Sequence, residues 1–177
     1  MKKFLTVIIL RGLVFLPTLA HAQGAAPELF GIGEVVIDYA HFADVKTSGN
    51  CGITREQIAD TLIKSFVGTT VPAVSVLDTK PPTMGVARIQ LVPQISTYAD
   101  ENLDCVSWIS LSAESRANAV IPPIPTLRSF TAVYWQQHTI ASSSQTSHPQ
   151  IVMDVLKKMA DQFAQQYRLD QPPAVPK

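Results

Sequence analysis

Charge is scarce in this sequence, and what there is cancels. Lys and Arg number 14, Asp and Glu 14, together 16% of the 177 residues. No positive field exists to gather phosphates, which excludes a nucleic-acid binder built on a basic surface. Hydrophobic residues make up 46% of the chain, so a disordered protein, poor in apolar side chains and high in net charge, is excluded as well. Cysteine is limited to Cys51 and Cys105, and without a Cys-x-x-Cys spacing they do not read as a redox pair. No G-x-S-x-G elbow, P-loop, G-x-G-x-x-G or H-E-x-x-H occurs, so no catalytic signature assigns an activity. An unbroken apolar run of membrane length is also missing. A spanning helix wants about 20 consecutive apolar residues, and Arg11 divides the one stretch that approaches this.

What that stretch does have is the layout of a secretory signal peptide. Met1-Lys2-Lys3 is a positive start, Phe4 to Leu10 and Leu13 to Leu19 are largely apolar, and Ala20-His21-Ala22 places small residues where a signal peptidase reads them. Cleavage after Ala22 is expected, a retained membrane anchor being the competing reading. The residue after that point is Gln23 rather than Cys, so no lipid anchor is expected and the mature chain should be periplasmic or secreted. Three basic residues leave with residues 1–22, and the net charge becomes −3. Residues 23–170 suffice for a single globular domain, with 171–177 a short free tail. In an oxidising compartment two thiols and no others read as one structural disulfide, Cys51–Cys105. Closing residues 51–105 contributes roughly 4 kcal/mol on chain-entropy grounds.

The pattern of the mature chain alternates between two periods. Glu34 to Tyr39 is a β-rich run behind Gly31 and Gly33. Thr54-Arg55-Glu56-Gln57 is a capping box with Ile53 and Ile58 as its staple, and Ile58, Leu62, Ile63 and Phe66 recur at helical spacing until Gly68. Val74 to Leu77 is a short strand. From Met84 to Ile95, Ala87, Ile89, Leu91 and Ile95 face one way and Arg88, Gln90 and Gln94 the other. Pro93 has no amide hydrogen, which predicts a bulge or an edge position for that strand. Cys105 to Ser112 follows, with Ile109 and Leu111 toward the core and Val106 and Trp108 away from it. Residues 114–128, with Pro122, Pro123 and Pro125, predict an irregular loop. Phe130 to His138 is the next strand, Ser142-Ser143-Ser144 a flexible link, and Pro149 to Leu169 a helix capped by Ser147 and Gln150, with Val152, Val155, Leu156, Met159, Phe163 and Tyr167 as its stripe. The order β-α-β-β-β-β-α predicts an α+β two-layer sandwich, a mostly antiparallel sheet of four to five strands with two helices on one face.

Candidate chemistry is sparse. Asp38, His41 and Asp44 stand three apart, but a strand end running into a loop does not put them on one face, and polar residues around a turn account for them. Asp100, Glu101 and Asp104 lack the ligand spacing and turn glycine of a calcium loop. His138 and His148 flank the serines, where a Ser-His pair would need a rigid support that a flexible link does not supply. No metal, cofactor or catalytic residue is therefore expected. If both helices cover one face, the other carries Trp108, Val106, Arg88 and Gln90, with Tyr134 or Trp135 as further candidates. Trp and Arg are residue types that anchor interfaces. The competing reading packs these aromatics into the core or beneath the proline-rich segment.

The capped helix at Thr54-Arg55-Glu56-Gln57, the strand Arg88-Ile89-Gln90-Leu91-Val92, the Tyr134-Trp135 strand end and the closing helix from Phe163 to Tyr167 together resemble small secreted bacterial α+β proteins. The element order is similar to the helix-on-sheet modules of periplasmic envelope proteins, such as the amino-terminal domain of the Tol-system propeller protein and the lipopolysaccharide-assembly lipoprotein, whose lipid-bearing Cys has no counterpart here. The resemblance carries over no functional residue. Secretion, a single disulfide-braced α+β domain, the missing catalytic set and aromatics on an uncovered sheet face lead us to expect a non-enzymatic module that binds another envelope protein, a secreted protein or a surface assembly, through Trp108, Arg88, Gln90, Val106 and Ile124. One alternative is an inhibitor or immunity-type protein that blocks a secreted enzyme with its 115–128 segment. The other is a small hydrolase or metal enzyme using His41 or His138.

Overall fold

The computed structural model describes residues 29–39, 51–78, 86–99, 104–120 and 126–171. Residues 1–22, His41 and Asp44, the Asp100-Glu101 turn, Ile124 and the tail from Pro172 lie outside them. The elements are β1 (Ile32–Ile37), α1 (Arg55–Phe66), β2 (Ala73–Ser75), a 3-10 turn (Val76–Asp78), β3 (Ala87–Ala99), β4 (Asp104–Val120), β5 (Leu127–Ser144) and α2 (His148–Asp170). Five strands form one mixed, mostly antiparallel sheet in the order β2-β1-β3-β4-β5. β1 runs parallel to both neighbours, a pairing that needs a crossover rather than a hairpin, and α1 lies in the β1-to-β2 connection. The expected α+β order is present.

One face of the sheet is the core. Val35, Ile37, Ile89, Leu91, Ile95, Ile109, Leu111, Ala113 and Ala141 form a continuous cluster with Ile58, Leu62 and Phe66 of α1 and Val152, Leu156, Met159, Phe163 and Tyr167 of α2. Phe163 sits at its centre, with ring centroids 6.0 Å from Phe66, 5.3 Å from Trp135 and 6.3 Å from Tyr167. Offset and edge-on aromatic pairs of this kind add to the stabilisation that area burial alone provides. The Thr54 capping box forms as its sequence demands: the Gln57 amide donates to the Thr54 hydroxyl and the Thr54 amide to the Gln57 side chain. Gly68 follows the helix at φ +78°. The Tyr167 hydroxyl donates to the Ile32 carbonyl at 2.6 Å and the Leu29 amide donates to Asp170 at 3.1 Å, so the end of α2 clamps the turn before β1. Cys51 is bonded to Cys105, with Cα atoms 6.1 Å apart, and this bridge joins the approach to α1 to the start of β4.

Several expectations are corrected. β3 is a central strand, and its pairing with β4 passes through Pro93–Leu111 without a register shift. Pro93 is tolerated because β1 ends just before it. The Asp38 amide donates to the Leu91 carbonyl, and Pro93, two residues on, turns its nitrogen toward the same side, past the end of β1. The segment from residue 114 is not an irregular loop. β4 continues to Val120 and β5 begins at Leu127, paired rung by rung. Pro122, Pro123 and Pro125 fall between the two strands, outside the described residues. Ser142 to Ser144 are not a flexible link either, because they pair with Val106, Cys105 and Asp104. Ser147 does not cap α2. Its backbone is helical (φ −95°, ψ −14°), its hydroxyl donates to the Ser144 carbonyl, and Gln150 instead donates to Asp154. Ile63, placed in the α1 stripe, is exposed.

Candidate binding face and a buried hydroxyl-histidine chain

Strand alternation gives the sheet a second face, and among the described residues no helix packs on it. β4 sends Ile109 and Leu111 into the core and Val106, Trp108, Ser110 and Ser112 to the other side. Register then fixes the neighbours. Tyr98 on β3 is opposite Val106, and Trp108 lies between Ser96 of β3 and Ile140 of β5. These four apolar side chains are adjacent and open: Tyr98 is 65% exposed, Val106 39%, Trp108 38% and Ile140 69%. Gln94, Ser96, His138 and Ser142 surround them at neighbouring rungs. An aromatic-rich centre with a polar rim that holds no Lys, Arg, Asp or Glu matches the composition of protein-binding surfaces more than that of ordinary solvent-facing sheet.

The expected site residues divide. Trp108 and Val106 stand together in this patch. Gln90 is exposed on the same face, but it pairs with Glu114, about 20 Å along β3 from the rung of Trp108 at roughly 3.3 Å per residue. Arg88 is further away still, and its guanidinium is 2.5 Å from the Glu34 carboxylate on β1. Half-buried beside that partner, it holds two strands together and is not part of the patch. Ile124 lies outside the described residues. Tyr134 and Trp135, candidates for this face, are on the other one. A register shift at Ala113/Glu114 sets Ala113 opposite Trp135 and Glu114 opposite Val133. Tyr134 is thereby left as the extra residue of a bulge, and both rings turn toward the core. Tyr98 and Ile140 were missed by sequence reasoning. Tyr98 continues the outward alternation of Gln90 and Gln94 but lies past the Ile95 limit expected for that strand, and Ile140 lies past the His138 limit expected for β5.

The other cluster of chemistry-bearing groups is buried. His148, in the first turn of α2, has its Nε2 at 2.7 Å from the Ser107 hydroxyl and its Nδ1 at 2.8 Å from that of Ser143, and Thr97 continues the chain to Ser107 at 2.7 Å. A Ser-His contact at this distance has the geometry of a nucleophile and its base. Yet Ser107 and His148 have no exposed surface, so a substrate cannot reach the hydroxyl, and the group orienting the imidazole is a hydroxyl rather than a carboxylate. Burial pushes the His148 pKa below its ordinary value, and the neutral ring is satisfied on both nitrogens. The cluster serves to hold α2, β3, β4 and β5 together beside the disulfide. His138 is exposed on β5, opposite Ser110 and two residues from Ile140. Among the described residues no three His, Cys, Asp or Glu side chains converge as a metal ion requires, and no helix is long and apolar enough to cross a membrane. A groove of about 400 Å³ between the helices is lined by charged and amide side chains, where Lys64–Asp60 and Lys157–Asp161 are already ion-paired. No protein-family model matches the chain, and neither a curated protein nor a solved structure is significantly similar to it.

Proposed function

We propose that the protein is a non-enzymatic binding module of the bacterial envelope that recognises a protein partner through Tyr98, Val106, Trp108 and Ile140. The observation that carries this reading is the contiguity of those four exposed apolar side chains on the face opposite the helices. Export fits the signal-like segment 1–22 and the Cys51–Cys105 bridge, since disulfides persist in oxidising compartments. Buried Trp and Tyr side chains at the centre of an interface carry much of its energy, with a polar rim excluding water around them. The test is affinity isolation of the protein from envelope extracts with wild type, Trp108→Ala, and Leu169→Ala as an exposed apolar control on α2. A complex that survives Leu169→Ala and is lost with Trp108→Ala supports the reading. A complex indifferent to Trp108→Ala removes it.

A second reading, an inhibitor of a secreted enzyme, is favoured by the two-stranded arm formed where β4 and β5 continue past the last β3 pairing at Gln90–Glu114. Leu127 and Phe130 are exposed on this arm, and an element that projects from a sheet suits insertion into a cleft. That reading requires a one-to-one complex with a hydrolase that disappears when residues 121–125 are replaced by a short glycine turn.

A further inference from the structure

β5 is an edge strand of 18 residues, and among the described residues it pairs only with β4. A free edge is a template for another strand, and proteins normally blunt it with Lys, Pro, inward charges or brevity. The opposite edge obeys the rule, because β2 has 3 residues. β5 does not. Its only charged residue is Arg128, it contains no proline, and residues 136–144 read Gln-Gln-His-Thr-Ile-Ala-Ser-Ser-Ser. Thr139, Ile140, Ser142 and Ser144 in that stretch are exposed.

We infer that residues 136–144 of β5 pair antiparallel with the same segment of a second copy of this chain, about a two-fold axis at Ile140. Three observations select this occupant. The segment contains no Lys, Arg, Asp or Glu, and an antiparallel pair sends the two Arg128 side chains to opposite ends, whereas a parallel pair would set them side by side. Ile140 is the one large apolar residue of the segment, and hydrophobic pattern sets strand register. Placing Ile140 opposite its own copy buries it and extends the row Ser96–Trp108–Ile140 straight across the axis. Finally, a two-fold pairing closes on itself: residues 136–144 of each copy are taken up by those of the other, so this contact cannot propagate beyond a dimer.

The pairing shares Ile140 with the proposed recognition face and rests on the edge, so the two ideas fail separately. Sedimentation of the chain lacking residues 1–22, with its disulfide intact, should show concentration-dependent dimers. Ile140→Lys and Ile140→Glu, each folded by circular dichroism, should be monomers alone and form a mixed dimer when combined, because opposite charges then face each other across the axis. A nitroxide on Ser144→Cys should report a distance of about 27 Å between copies, four residues on each side of the axis at roughly 3.4 Å each. A wild-type protein that stays monomeric across micromolar concentrations overturns the inference, and so do variants that dimerise alone or fail to dimerise when mixed. A label distance far from that value overturns the register. None of these results touches a partner complex lost with Trp108→Ala.

Discussion

The two tryptophans of this chain lie on the two faces of the same sheet, and their surroundings differ in kind. Trp135 is packed edge-on against Phe163 within a core shared by both helices. Trp108 stands among Tyr98, Val106 and Ile140 with no described helix above it. Strand alternation alone separates Ile109 from Trp108 on β4, yet Ile109 has no exposed surface and Trp108 is open. The difference teaches which side of the molecule carries stability and which is free to carry recognition. The covered face should be costly to alter and silent in binding. The uncovered face should be cheap to alter and decisive in binding.

Four substitutions or treatments test that division. Phe163→Ala removes the ring on which Phe66, Trp135 and Tyr167 converge, and should cost about 4 kcal/mol, read as a lowered urea midpoint. Replacing Cys51 and Cys105 together by Ala should cost about 2–4 kcal/mol, with the partner complex retained at temperatures where the variant stays folded. The third concerns His148. Its folded-state pKa is held below the ordinary value by burial, so the unfolded chain takes up the proton first. Stability should be complete above about pH 6.5 and fall as pH drops from there toward the lowered folded-state value. His148→Gln should be less stable at neutral pH but show a flatter dependence of Tm between about pH 7 and 5. The smallest effect on stability belongs to the uncovered face: at concentrations where the chain is monomeric, Tyr98→Ser and Ile140→Ser should stay within about 0.5 kcal/mol of wild type, as exposed positions do, while weakening partner binding. A large stability loss from these two variants would erase the distinction between the faces.

Elements whose side chains announce both a period and a stop were legible in the sequence. The Thr54–Gln57 box, the α2 stripe and the inward Ile109 and Leu111 are of this kind, and so is the Cys51–Cys105 pair. What was not legible arises from interactions between strands. The extension of β4 through Ser115, Ala117 and Ala119 has small residues of weak strand preference, and only the partner strand makes it regular. Pro93 in a central strand is intelligible once β1 is known to end at Ile37. The turning of Tyr134 and Trp135 to one face needs the bulge at Ala113/Glu114, which leaves no mark in the local pattern. In the candidate site, Trp108 and Val106 followed from alternation. The grouping with Tyr98 and Ile140, and the separation from Arg88 and Gln90, followed from cross-strand register, which sequence order does not carry.

The most direct test of the account is photo-crosslinking in living cells from position 108, with position 135 as the internal control and the products identified by mass spectrometry. The account predicts crosslinks from position 108 to a single partner protein, and crosslinks from position 135 confined to this chain. Crosslinks from position 108 confined to the chain would contradict it, because they would show that this face of the sheet is covered and that recognition resides elsewhere.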